Sequence, residues 1–228
     1  MGGDVSRSVG PYFLGEGDTA FFQTFSRSKS SLALELKTPE GRAIFEKLVA
    51  GADAVVNNLR GDKPGKLGLT YDDLKTIKPS IVCAHLSAYG RNNSRANWPG
   101  YDYLMQAEAG FCSLTGEPDG PPQKAGIAYA DIFTGLYSAV AILAALRRRD
   151  VTGGGAHIDM ALLDSQVAVL ANQAANYLAS GVVPKRMGNA HANVVPYQLF
   201  ATADGQLVIA VGNDAQYRRL CAILGVPE

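Results

Sequence analysis

Sulfur, tryptophan and net charge are what this 228-residue sequence has least of. Its three cysteines, Cys83, Cys112 and Cys221, are odd in number and far apart, with no CxxC pair and no histidine at metal-ligand spacing. That excludes a disulfide framework and a zinc-finger pattern, and it reads as reduced thiols in a cytoplasmic protein. Lys and Arg equal Asp and Glu at 21 each. Without a basic excess there is no electrostatic footprint for nucleic acid. The opening MGGDVSRSVGPYF lacks the basic-then-apolar order of a secretory signal, and no apolar run reads as bilayer-spanning, so no membrane is expected. Met1-Gly2 followed by Ser6 fits a myristoylation signal only loosely.

What is present is a hydrophobic share of 47%, enough to bury a sizeable core in one large domain or one and part of a second. Residues 1–30, rich in Gly, Ser and aromatics, show no sustained period and read as an irregular lead-in. Leu32, Leu34 and Leu36 alternate. Thr38-Pro39 then supplies an N-cap and a first-turn proline for a helix over 39–50. Ala54–Asn57 reads as a strand, Tyr71–Lys78 as a short helix stopped by Pro79, and Ile81–Leu86 as a buried strand. Strands alternating with helices predict a parallel sheet with helical crossovers, an α/β fold.

Beyond Gly100 the spacing predicts helices over 101–113 and 131–149. The second is apolar almost all round until Arg147-Arg148-Arg149, which marks a buried helix whose basic end suits its dipole. A strand at His157–Met160, a long helix over Leu162–Leu178, a hairpin turning at Asp204-Gly205 and a helix over Asp214–Leu224 complete the chain.

Few stretches carry a chemical signature. Gly153-Gly154-Gly155 lacks the Gly-Lys-Ser/Thr of a phosphate loop, and no GxGxxG follows a strand. His85, His157 and His191 have no partner at fixed spacing. Ser87 lacks the preceding glycine of a nucleophile elbow. Arg27, Lys29, Lys37, Arg60, Lys63 and Lys66 are solvated surface by default, or else neutralise the phosphates of a nucleotide-like ligand. Asp131, directly before the most apolar segment, is either a helix N-cap or a nucleophile whose charge and oxyanion are served by the helix amides. Local pattern leaves both readings open.

Several ordered motifs then bear on the choice. Gly100-Tyr101-Asp102-Tyr103-Leu104-Met105-Gln106-Ala107, Thr115-Gly116-Glu117-Pro118-Asp119-Gly120 and Asp131-Ile132-Phe133-Thr134-Gly135 resemble the class III CoA-transferases. So do residues 29–42, 58–69, 152–163 and 196–224, and the resemblance spans nearly the whole chain from Ser26. The run 162–178 with Val195-Pro196-Tyr197-Gln198 is similar to members acting on succinate and hydroxymethylglutarate.

The resemblance implies a Rossmann-like CoA-binding domain over 1–180 with linker helices, and the start of a smaller α/β domain over 181–228. It also implies an interlocked homodimer, from which this chain would lack a strand and loop at the start and the rest of the small domain at the end. Asp131 falls on the family's catalytic aspartate. The CoA-contacting positions fall on Leu34, Glu35, Leu36 and Lys37, on Asn58, Leu59 and Arg60, on Lys66, and on Pro99, Gly100, Tyr101 and Asp102. Lys66 stands where relatives often have arginine, which keeps the charge but loses the planar fork. Tyr101 replaces the histidine base of related α-methylacyl-CoA racemases and so favours a transferase.

Coenzyme A and its acyl thioesters are then the implied substrates, with no permanently bound cofactor and no metal, and a free carboxylic acid is the second partner. Arg95 and Arg186 are the candidates for holding a second carboxylate. A racemase, or a CoA-binding protein without turnover in which Asp131 merely caps its helix, is the competing reading.

Overall fold

The computed structural model describes residues 3–226; the Met1-Gly2 pair and the last two residues of the 181–228 segment lie outside it. The chain packs as two units, one up to Ala52 and one from Asp53 onward.

In the first unit the expected irregular lead-in is structured. A 3-10 turn at Val5–Ser8 precedes strands β1 (Phe13–Gly15) and β2 (Asp18–Thr19), which pair antiparallel, and helix α1 (Ala20–Ser26). Thr19 explains the helix start: its buried hydroxyl accepts the Phe22 N–H and donates to the Ser6 carbonyl. The alternating Leu32, Leu34 and Leu36 form no strand, and Leu32 is exposed. Alternation needs a pairing partner as well as a period. Helix α2 (Pro39–Gly51) begins as expected, with Thr38 Oγ1 accepting the Gly41 N–H.

The second unit is an α/β assembly around a three-stranded parallel sheet. β3 (Ala54–Asn57) pairs with the central β4 (Val82–Ser87), which pairs with β5 (Ala156–Ala161). The near-continuous apolar run of β4 suits a strand covered on both faces, and Val82, Cys83 and Ala84 are fully buried. The first crossover carries α3 (Lys63–Lys66) and α4 (Tyr71–Leu74), shorter than the helix expected to Lys78; a capping box of Thr70 and Asp73 starts it. The second carries α5 (Asp102–Glu108), α6 (Phe111–Leu114) and α7 (Tyr129–Thr152). Gly110, at φ 91°, splits the expected 101–113 helix into α5 and α6.

The glycine triplet serves the entry to β5. Gly153 closes α7 in the left-handed conformation, and a Cβ on Gly155 would overlap the Ile81 carbonyl oxygen and lie 2.7 Å from that of Pro79. The 162–178 helix is broken into α8 (Leu162–Ala168) and α9 (Asn172–Ser180), with Ala171 at φ 48°. The antiparallel hairpin β6 (Tyr197–Ala201) and β7 (Gln206–Ala210), then α10 (Asp214–Leu224), follow the sequence reading closely.

Helix α7 departs from expectation. It packs along β4, β5, α5 and α8, yet only Ala130, Thr134, Ser138 and Ala145 are buried. Leu136, Val140 and Leu143 are 58%, 65% and 67% exposed. By length and composition α7 also passes as a membrane span, against the reading that no segment does. A core helix of an α/β assembly passes the same length-and-composition test.

Candidate active site

At the carboxyl end of β4 the chain turns through Ala88, Tyr89 and Gly90, and Ala88 accepts the Leu163 N–H at 3.0 Å. Ala88, Tyr89, Met105 and Ala130 form a buried cluster with Leu162 and Leu163 packed against it. Gly100 rests directly on Ala88: an added Cβ would overlap the alanine methyl. This close approach fixes the start of α5 and, through Met105 and Ala130, the start of α7.

Asp131 is the third residue of α7, within its first turn rather than at its N-cap, which is Ala128 without a side-chain cap bond. The capping alternative therefore falls. Its N–H donates to Asp102 Oδ2 at 3.1 Å. Asp131 is exposed as a residue, and it sits where α7 packs against α5. There partial loss of water, and next the charge of Asp102, raise it above the ordinary carboxylate range. The helix amides are less available for an oxyanion than expected: Tyr129 donates to the Ile127 carbonyl and Asp131 to Asp102.

Asp102 opens α5, and exposed Tyr101 (82%) precedes it in extended conformation. Asp102 Oδ1 accepts the Gln106 side-chain N–H. Asn58, Leu59 and Arg60 leave the carboxyl end of β3, where Asn57 Oδ1 accepts the Leu59 N–H at 3.3 Å. Arg60 and Lys66 converge on one carboxylate, with Asp62 accepting from Arg60 at 2.5 and 3.0 Å and from Lys66 at 2.9 Å. These two cations hold the Asp62 carboxyl well below its usual range and leave the group one positive charge in excess. Leu34–Lys37 lie in the first unit, where Glu35 Oε1 accepts the Lys37 N–H and the Glu35 carbonyl accepts the Thr38 N–H.

Other candidates are occupied elsewhere. Arg95 pairs with Glu108 and faces the Tyr89 and Trp98 rings, while Arg186 donates to the carbonyls of Glu117 and Ser113. Both guanidiniums brace loops. The sheet register brings His85 and His157 edge to face at 5.2 Å, with Asn57 Nδ2 2.7 Å from His85 Nδ1. Burial holds His85 down at about 4, so the ring is neutral at pH 7. Among the described residues no group of three or more His, Cys, Asp or Glu is placed to hold a metal, and all three cysteines are buried and free. Gln106 is the residue the sequence reading passed over; its place in the Gly100–Ala107 motif was the available signal.

Comparison with known proteins agrees over the whole chain. The sequence model of CoA-transferase family III matches residues 1–228. The chain is 50% identical to the succinate–glutarate CoA-transferase of Agrobacterium fabrum over 99% of its length and 58% of that protein's. It is 42% identical to the succinyl-CoA:glutarate CoA-transferase of Mus musculus, over 99% of this chain and 52% of that one. A solved CaiB/BaiF family protein from Brucella suis superposes at TM-score 0.84 with 48% identity, covering 98% of this chain and 60% of that one. The chain thus spans between half and three fifths of the length of these relatives. On a match to the family over every residue, and on an α/β fold shared with a solved relative, this chain belongs to CoA-transferase family III.

Proposed function

We propose that the protein transfers coenzyme A between an acyl-CoA thioester and a free carboxylic acid, a dicarboxylate such as succinate, with Asp131 as the nucleophile. The observation that carries this reading is the placement of Asp131 in the first turn of α7. There its main chain is tied to Asp102 and its carboxyl has a raised pKa in a chain of this family. In its ionised form, a carboxylate of raised pKa is a stronger nucleophile than an ordinary one. The names of the mouse and Agrobacterium relatives support a dicarboxylate.

The reaction needs one nucleophile. An Asp131 oxygen attacks the donor thioester carbonyl, the C–S bond breaks, and a mixed anhydride and CoA thiolate result. The thiolate attacks the aspartyl carbonyl of the anhydride, expelling the donor carboxylate and leaving an aspartyl-CoA thioester. The acceptor carboxylate attacks that thioester, giving a second anhydride and thiolate. The thiolate then takes the acceptor acyl group and frees Asp131. Arg60 and Lys66, with their excess charge, are assigned to the CoA phosphates. Asn58, Leu59, Pro99, Gly100, Tyr101 and Asp102 are assigned to the rest of CoA at the strand ends, and the family likeness assigns Leu34–Lys37 to CoA as well. The protein acts as a cytoplasmic homodimer, and residues 181–228 begin a smaller domain.

Incubation with succinyl-CoA, followed by intact and peptide mass spectrometry, tests the reading: a CoA adduct on Asp131 is expected. A folded sample that forms none with succinyl-, formyl- or other short acyl-CoA donors would overturn it. Deuterium wash-in at Cα without acyl exchange would assign a racemase instead.

A further inference from the structure

A fully buried side-chain amide on α5, that of Gln106, carries a role of its own. Gln106 is 0% exposed, and each of its polar atoms is used. Its Nε2 donates to Asp102 Oδ1 and to the Ile127 carbonyl at 3.4 Å, and its Oε1 accepts the Ala125 N–H at 2.8 Å. Asp102, oriented by that first bond, accepts the Asp131 N–H through its other oxygen. Residues 125–128 have no regular secondary structure, and α7 starts without a side-chain cap. The segment leading into α7 is therefore held by Gln106 at two points and, through Asp102, at a third.

We infer that Gln106 is a positioning residue: its amide clamps residues 125–131 to α5 and so sets where the Asp131 carboxylate stands. The inference rests on Asp131 being the nucleophile, as proposed above. Nucleophilic attack tolerates little displacement, whereas a surface helix start of this kind would otherwise fray. The buried amide is a better clamp than an apolar residue because leaving any of its partners unpaired inside the core carries a penalty. It differs in kind from a CoA contact, since Gln106 has no exposed surface with which to touch a substrate.

The test uses Gln106→Met, which keeps the volume and removes every hydrogen bond, and Gln106→Glu, which still accepts from Ala125 but does not donate as a carboxylate. With succinyl-CoA, the rate constant for adduct formation on Asp131 is expected to fall about ten- to a hundredfold in both, from a small displacement of the nucleophile. The final adduct stoichiometry should stay at the wild-type level. Hydrogen exchange in the 124–131 peptide should quicken while the β4 peptide stays protected. Wild-type rate constants and exchange in either folded variant would overturn the inference. So would a loss confined to stoichiometry, which marks a merely structural role. If the wild-type protein forms no adduct, the transferase reading fails, and the exchange of 124–131 alone decides whether Gln106 holds the segment.

Discussion

Two aspartates separated by 29 residues in sequence meet where the Asp131 N–H donates to the Asp102 carboxylate, and loss of water, then the charge of Asp102, raises the Asp131 carboxyl. Because the Asp131 pKa is raised, the folded chain holds that proton more tightly than the unfolded one. Stability contributed by the protonated form is present below the ordinary carboxylate pKa and is lost as pH rises through the raised value. Nucleophilic activity has the opposite sense, failing as pH falls through that same value. Asp131→Asn should therefore abolish the CoA adduct while the thermal midpoint at neutral pH is unchanged or slightly higher, measured by mass spectrometry and calorimetry. Asp102→Asn removes the neighbouring charge, so the acid limb of the adduct-formation rate should shift to lower pH. Asp131 stood out in the sequence because the family motif surrounds it. Its link to Asp102 did not, since no local pattern reports a contact between the starts of two helices.

Helix and strand boundaries follow local chemistry where a cap or glycine decides them. Thr38-Pro39, Thr70 with Asp73, and Asn213 start their helices with side-chain oxygens on first-turn amides. Thr38→Ala should accordingly cost about 1 kcal/mol in denaturant unfolding. Gly155 is decided by space: its added methyl would meet the Ile81 and Pro79 carbonyls, so Gly155→Ala should destabilise by about 2 kcal/mol or more, read in the same way. Boundaries were misjudged where the period continued through a backbone reversal. Gly110 and Ala171 break helices whose side-chain pattern runs on, and an isolated glycine or alanine gives little warning of a positive φ. The Leu32–Leu36 alternation failed for the complementary reason: a strand's period is empty without a neighbour to bond.

At the scale of the whole molecule, α7 leaves an apolar side exposed. Leu136, Val140 and Leu143 recur at helical spacing along this exposed side. With the homodimer proposed above, sedimentation velocity should give a dimer. Leu143→Glu should shift it to monomer while costing the monomer itself no more than about 0.5 kcal/mol, since the side chain is exposed there. The sequence by itself determined the α/β class, the β3 and β4 strands, the closing hairpin and helix, and the family, because periodicity, caps and ordered motifs are local quantities. Only the tertiary structure decided that Asp131 is not a cap, that Arg60 and Lys66 share Asp62, and that Gln106 ties α5 to the segment before α7. It also decided that the most apolar helix is half bare. Each of these depends on which distant residues the sheet and its crossovers bring within hydrogen-bonding reach, and burial is a property of neighbours rather than of composition.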